Sequence, residues 1–306
     1  MREGARTVID GVLRRTPAQA VFHWRASRGL AVLAYHEIRD PERFAVQLDH
    51  VRRVTNPVTL GSVVRAAAGG SGLPPRAVLL SFDDGHRDVL EVAMPMLRER
   101  GLPAVAFVVA GLVGTDTPHW WTEVKELVRG GGSARPVEGL TPDDAVRALK
   151  RASDDVRLGT IAELRRSSGR RARPVAQLTP DDLRTLESSG VAIGNHSLSH
   201  PCLSRCHDEK IRTELERSHE ILTAELGHEP EAFAYPDGDR DERVASVVGH
   251  IDYRAAFLFD HRLSASKPPD PLNVSRLRMD ADAGFDRFRI IVSGLHPSIH
   301  RLRRGR

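Results

Sequence analysis

Leu80-Ser81-Phe82-Asp83-Asp84-Gly85 is the stretch on which the reading of this chain turns. An apolar run, Ala77 to Phe82, meets two adjacent carboxylates and then a glycine. Within a strand, neighbouring side chains point to opposite faces, so adjacent acids there serve different surfaces. At a strand's end, before a glycine free to take a positive φ, the chain can turn and present both acids to one cleft. One carboxylate can then hold a metal while the other moves a proton. Taken alone, Asp-Asp-Gly reads as a solvated turn, because Asp and Gly dominate turns for local reasons.

The partner text is Gly194-Asn195-His196-Ser197-Leu198-Ser199-His200, which follows a second apolar segment, Val191 to Ile193. Two histidines four apart can share one face of a helical turn. That spacing recurs at zinc sites, where imidazole nitrogens and a carboxylate oxygen form a three-ligand set with open positions. Cobalt, nickel, iron or manganese suit the same donors.

LSFDDG and GNHSLSH resemble the first two motifs of the polysaccharide deacetylases, carbohydrate esterase family 4. Phe233-Ala234-Tyr235-Pro236-Asp237-Gly238 resembles the family's third segment. The likeness runs from about Leu30 to Asp280, and Trp120-Trp121 is typical of one branch. The resemblance implies that Asp83 is the general base and that Asp84, His196 and His200 hold one divalent metal, zinc foremost. It also implies that the backbone N–H of Tyr235 donates to the oxyanion. On that reading a bound metal would lower the pKa of a water, and Asp83 would take the proton as the water attacks an acetamide carbonyl. Preorganised donors then stabilise the tetrahedral oxyanion.

The acid that protonates the departing amine is less plain. Leu30-Ala31-Val32-Leu33-Ala34-Tyr35-His36 is a short apolar run ending in histidine, the pattern of a buried barrel strand that delivers a side chain to its C-terminal rim. Its Ala-Tyr-His-Glu-Ile text resembles the poly-N-acetylglucosamine de-N-acetylase branch, in which the histidine strand is permuted to the N-terminus. His36 is therefore the expected acid, with a structural strand-end histidine as the alternative. His296 reads as the surface of a helix end, since Phe285, Phe288, Ile291, Val292 and Leu295 have helical spacing. The arginine of the family's third motif is missing. Arg276 is the candidate to orient Asp83 from another strand end, with a surface ion pair as the alternative.

Seven strand-like runs lie near Ala31–Tyr35, Ala77–Phe82, Ala104–Val109, Val191–Gly194, Ala232–Tyr235, Arg254–Phe259 and Asn273–Leu277. Helical patterns separate most of them, as in alternating β and α units. The expected fold is α/β, a deformed (β/α)7 barrel of the TIM type with a mostly helical insert. Residues 1–28 read as an N-terminal helical extension, 29–280 as the barrel with its insert at 114–176, and 281–306 as a C-terminal helix and basic tail. Thr141-Pro142-Asp143-Asp144 and Thr179-Pro180-Asp181-Asp182 are helix starts, with threonine caps and acids in the first turn. Pro95 interrupts an otherwise helical spacing from Arg87 to Arg100.

The 306 residues carry a net charge of +4, with four arginines among the last six. Nucleic-acid binding is not expected, because neither a recognised module nor basic patches interleaved with stacking aromatics occur. Solvated helix faces, or weak contact of the tail with an anionic membrane or polymer, fit better. No apolar run approaches the roughly 20 residues that span a bilayer. The first residues lack a continuous apolar core of the secretory kind, so a cytoplasmic location is expected. Cys202 and Cys206 read as free thiols rather than half of a second zinc site. The expected activity is hydrolytic removal of N-acetyl groups from an amino sugar or glycan. An O-acetyl carbohydrate esterase and a silent glycan-binding relative are the alternatives, and the sequence leaves the oligomeric state open.

Overall fold

Parallel strands buried on both faces read as continuous apolar runs, and those runs become strands. In chain order they are β1 (Gly29–Tyr35), β2 (Asn56–Pro57), β3 (Ala77–Phe82), β4 (Ala104–Val108), β5 (Val191–Asn195), β6 (Ala232–Ala234), β7 (Ala255–Phe257), β8 (Ser264–Ala265) and β9 (Leu277–Arg278). The computed structural model describes residues 17–304. Of the N-terminal extension, the helix Pro17–Ala26 falls within them, and residues 1–16 lie outside.

The hydrogen-bonded order is β7-β6-β5-β4-β3-β1, parallel throughout. Val274 bridges Phe257 of β7, while Leu277 and Arg278 pair with Leu33 and Ala34 of β1. Segment 274–278 therefore joins the two ends of the sheet. The result is a deformed (β/α)7 barrel whose strands each carry one face inward and one outward. β2 and the antiparallel β8 are two-residue additions at its margin.

Alternation sorts the core. Leu30, Val32, Leu79, Val105, Phe107 and Phe257 pack together in one cluster inside the ring. Leu33, Tyr35, Leu80, Phe82, Ala106 and Val108 pack in another, beneath the helices. The register matters for chemistry. Tyr35 pairs with Phe82 as the last rung between β1 and β3, and the N–H of Asp83 extends the ladder to Tyr35 O at 2.9 Å. His36 and Asp83 are the next residues on the two neighbouring strands. The period of two gives both the inward face at the C-terminal rim.

Helix starts follow the sequence signals. Thr179 and Asp182 form a reciprocal capping box, and Thr141 caps Pro142–Leu149 through the N–H of Asp144. Pro95 is resolved differently from a kink in one helix. A π-turn, Val89–Ala93, precedes the helix Met94–Arg100, and Pro95 sits in that helix's first turn. The π-turn, in which Met94 N–H bonds Val89 O, shifts the hydrogen-bond ladder just where the proline lacks an N–H.

The insert leaves the barrel after β4 and returns before the helix Pro180–Ser188. Its neck is a short backbone ladder: Gly114 N–H to Leu178 O at 2.8 Å, Gln177 N–H to Thr115 O at 3.1 Å and Val175 N–H to Asp116 O at 2.8 Å. Three helices, Trp120–Arg129, Pro142–Leu149 and Asp154–Ser168, enclose a small core of their own that includes Val124, Leu127, Leu149 and Leu164. The chain ends in two helices, Phe285–Val292 and Leu295–Arg304. The side chains of the arginine-rich tail, Arg301, Arg303, Arg304 and Arg306, lie outside the described residues. Among the described residues no helix is long and apolar enough to cross a membrane.

Candidate active site

At the rim the two acids part. Asp83 continues the inward face of β3 and meets Arg276, which rises from inside the ring. The pair is two-pronged, Nη1 to Oδ1 at 2.6 Å and Nη2 to Oδ2 at 2.8 Å. Arg276 is wholly buried and anchors its Nε–H on Leu258 O at 2.7 Å. Its guanidinium lies 5.4 Å from the Phe107 ring centroid and 5.7 Å from that of Phe259. Burial pushes the Asp83 carboxyl toward protonation, but the Arg276 charge, aided by His196 and His36, outweighs it and holds the carboxyl below its usual range. Asp83 is an oriented carboxylate.

Asp84 turns away because its backbone is left-handed, φ 71°, and Gly85 follows at φ 72°. Asp tolerates that region better than most residues. Any side chain at position 85 would also press on Val108 at 3.3 Å. The turn aims Asp84 at two histidines, with Oδ1 3.5 Å from His196 Nε2 and 3.3 Å from His200 Nε2. His86 Nε2 stands 3.6 Å from Oδ2. Burial opposes ionisation of Asp84, yet His196, His200 and His86 together hold its carboxyl well below the usual range.

The donor set fits a divalent ion. His196 Nδ1 lies 2.7 Å from Ala234 O and donates to it, which leaves Nε2 to face Asp84. Asp84 Oδ1 is buried without a hydrogen-bond partner. The three ligand atoms fall within 4.8 Å of one another, the one such group among the described residues. A carboxylate oxygen and two imidazole nitrogens that converge on one point suit a cation.

His196 and His200 do not lie on a helix, contrary to the reading of their spacing. β5 ends at Asn195, and Ser197 and His200 adopt left-handed conformations at φ 69° and 56°. Side chains have captured the local donors: Asn195 Oδ1 accepts from Ser197 N–H at 2.8 Å, and Ser197 Oγ accepts from His200 N–H at 3.0 Å. Such bonds compete directly with helix formation. The loop they build brings the two imidazoles to 4.7 Å between ring centroids.

Tyr235 requires a second correction. Its N–H is bonded to Phe257 O at 3.0 Å, one rung beyond β6, and cannot serve an oxyanion. Its ring packs edge-on against Phe233, and its hydroxyl donates to Leu272 O at 3.2 Å. Pro236 has no N–H, so the next backbone donor along the chain belongs to Asp237.

A cavity of about 190 Å³ joins these groups; His36, Asp83, Asp84, His196, His200 and Asp237 line it. The His36 ring stands 5.2 Å from Phe259 in an edge contact. The insert supplies the remaining wall, Trp121, Lys125, Val146 and Lys150, and Lys150 is ion-paired with Asp237. Trp120 is buried, and its Nε1–H donates to His200 O at 2.9 Å, while Trp121 meets the His200 ring edge-on at 4.7 Å. The two tryptophans thus bind the insert to the histidine loop.

His296 is elsewhere, its Nδ1 2.8 Å from His261 Nε2. Cys202 and Cys206 are free, and burial pushes both thiols up to about 12. Sequence reasoning missed His86, His119, Lys150 and Asp237. Asp237 lies within a motif already singled out, and His86 directly follows one. His119 and Lys150 carry no sequence signal, because the docking of the insert brings them in.

Residues 70–136 and 159–256 match the family profile described as polysaccharide deacetylase, more than half of the chain. The chain belongs to the polysaccharide deacetylase family. The stretch between the two matched blocks lies inside the helical insert of this deacetylase. Its fold is similar to IcaB from Ammonifex degensii, at TM-score 0.61 and 20% identity over 88% of this chain and 97% of that one. A de-N-acetylase from Aggregatibacter actinomycetemcomitans gives 0.60 and 18%, covering 86% and 99%. The Streptococcus pyogenes deacetylase PplD, solved with acetate, gives 0.59 and 19%, covering 83% and 93%. A comparison with curated protein sequences finds no match.

Proposed function

We propose that this carbohydrate deacetylase removes N-acetyl groups from amino-sugar units of a glycan, with Asp84, His196 and His200 holding one divalent ion, zinc foremost. The supporting observation is the meeting in one cavity of an Arg-paired carboxylate, a converging Asp-His-His donor set and a separate histidine. A divalent ion bound there supplies Lewis acidity to an attacking water and to the acetyl carbonyl.

The chain's own groups do the rest. Asp83 accepts the proton of the attacking water, and Arg276 keeps that carboxylate ionised and aimed. The Asp237 N–H takes the oxyanion role expected of Tyr235, as the first backbone donor beyond the ladder. His36, level with Asp83 on the neighbouring strand, gives a proton to the departing amine. Amide hydrolysis needs that proton because an amide anion is a very poor leaving group.

The test is product analysis with metal-loaded protein on N-acetylglucosamine oligomers and on an O-acetylated glycan. New primary amines and an equal amount of acetate from the oligomers are expected. Acetate from the O-acetylated glycan alone would make the protein an esterase. Acetate from neither would contradict catalysis on acetyl groups.

A further inference from the structure

Both histidines of the donor set sit on one loop, yet only one ring is fixed by its own hydrogen bond. His196 Nδ1 is held by Ala234 O, whereas His200 Nδ1 is buried with no partner. A metal-binding histidine ordinarily donates its second nitrogen to an acceptor that fixes the ring. His200 therefore depends on its backbone, which is left-handed and costly for a residue bearing a Cβ.

Beside Ser197 and Trp120, which bond His200's own N–H and carbonyl, the loop before it is held by a carboxylate that no sequence motif marks. Glu214 lies on the helix Asp208–Leu226 and is fully buried. Its Oε2 accepts from the N–H groups of Leu198 at 3.1 Å and Ser199 at 2.8 Å, two of the three residues between the histidines. Its Oε1 accepts from Ser199 Oγ at 2.6 Å and faces Lys210 Nζ at 2.8 Å, which balances the buried charge. One turn along the same helix face, Ser218 Oγ accepts from Asn195 Nδ2 at 2.8 Å, and Asn195 Oδ1 holds the N–H of Ser197. The helix thus grips the loop at both ends of its irregular stretch.

We infer that Glu214 is a positioning residue for the metal centre: its carboxylate fixes the loop so that His200, lacking a partner of its own, presents Nε2 toward Asp84. The inference rests on the metal-dependent reading above. It predicts that the cost of losing Glu214 is felt through His200.

The test measures zinc dissociation constants by competition with a chromogenic chelator, on protein stripped of metal. Four proteins are compared: wild type, Glu214→Gln, His200→Ala and the double variant. Glu214→Gln is expected to weaken zinc about 10- to 100-fold, as loss of outer partners commonly does. With His200 already replaced, the same change is expected to cost less than about threefold. Unchanged affinity in Glu214→Gln, or an equal loss in both backgrounds, overturns the inference. Should Glu214→Gln fail to fold, Ser199→Ala removes one clamp contact and is expected to show a smaller loss, again only when His200 is present. Failure of the wild type itself to bind zinc, or any of the other candidate metals, contradicts the metal-dependent reading instead.

Discussion

Arg276 and Asp83 meet as fork and carboxylate inside the barrel, at 2.6 and 2.8 Å, with neither side chain more than 3% exposed. The arginine comes from the strand position that closes the ring, and the aspartate from a strand far earlier in the chain. Closure of the barrel and orientation of the proposed base are thus one contact. Such a pair is stabilising only while both members remain, because desolvation offsets most of the attraction.

Arg276→Met leaves the Asp83 charge buried and unpaired. The expected loss is about 3–5 kcal/mol of unfolding free energy, read by urea denaturation. Arg276→Lys restores the charge without the fork and recovers part of it. Equal stability of Arg276→Met and wild type contradicts the pairing.

His36→Ala separates leaving groups. Turnover of an N-acetyl substrate is expected to fall by about 10²–10⁴, the usual contribution of a positioned acid. An acetyl ester with a good leaving group needs little protonation and is expected to lose far less. Equal losses on both substrates would remove His36 from the acid role.

Metal affinity divides the donors. His196→Ala and His200→Ala each delete a ligand and are expected to weaken zinc by more than the 10- to 100-fold that outer partners cost. His296→Ala, at a distant histidine pair, is expected to leave affinity unchanged. Zinc affinity that survives either loop substitution rules out the Asp-His-His set.

Acid sensitivity has a traceable source at His119, beside the buried carboxylates Asp83 and Asp84. Burial, reinforced by the neighbouring His86 charge, lowers its pKa to about 4, and its Nε2–H donates to Asp84 O at 3.0 Å. The unfolded chain takes up that proton near the ordinary value of about 6.5. Between the two values the unfolded state binds more protons, so stability falls as pH drops through this window and levels off below it. The contribution is roughly 3 kcal/mol at full development. His119→Gln keeps an N–H for Asp84 O and is expected to flatten the dependence. A slope unchanged in that variant places the source elsewhere.

The barrel was readable because strands buried on both faces leave long apolar runs, as β3 does along its whole length. Asp83, Asp84, His196, His36 and Arg276 drew notice because each stands just beyond or within such a run, and His200 because it follows His196 by four residues. Tyr235 was misread because the ladder continues one rung past β6, a matter of register that the local text does not encode. The histidine spacing suggested a helix, and Asn195 and Ser197 had instead taken the backbone donors. Lys150, His119 and Glu214 join the site through packing between distant segments, which leaves no periodic trace.

The proposed division of labour between the two adjacent acids is tested by Asp83→Asn, with turnover and metal content measured on the same preparation. Zinc content equal to wild type is expected, with deacetylation reduced by about 10²-fold or more. Loss of the metal would mean that the two acids have exchanged roles, and retained turnover would mean that Asp83 is not the base.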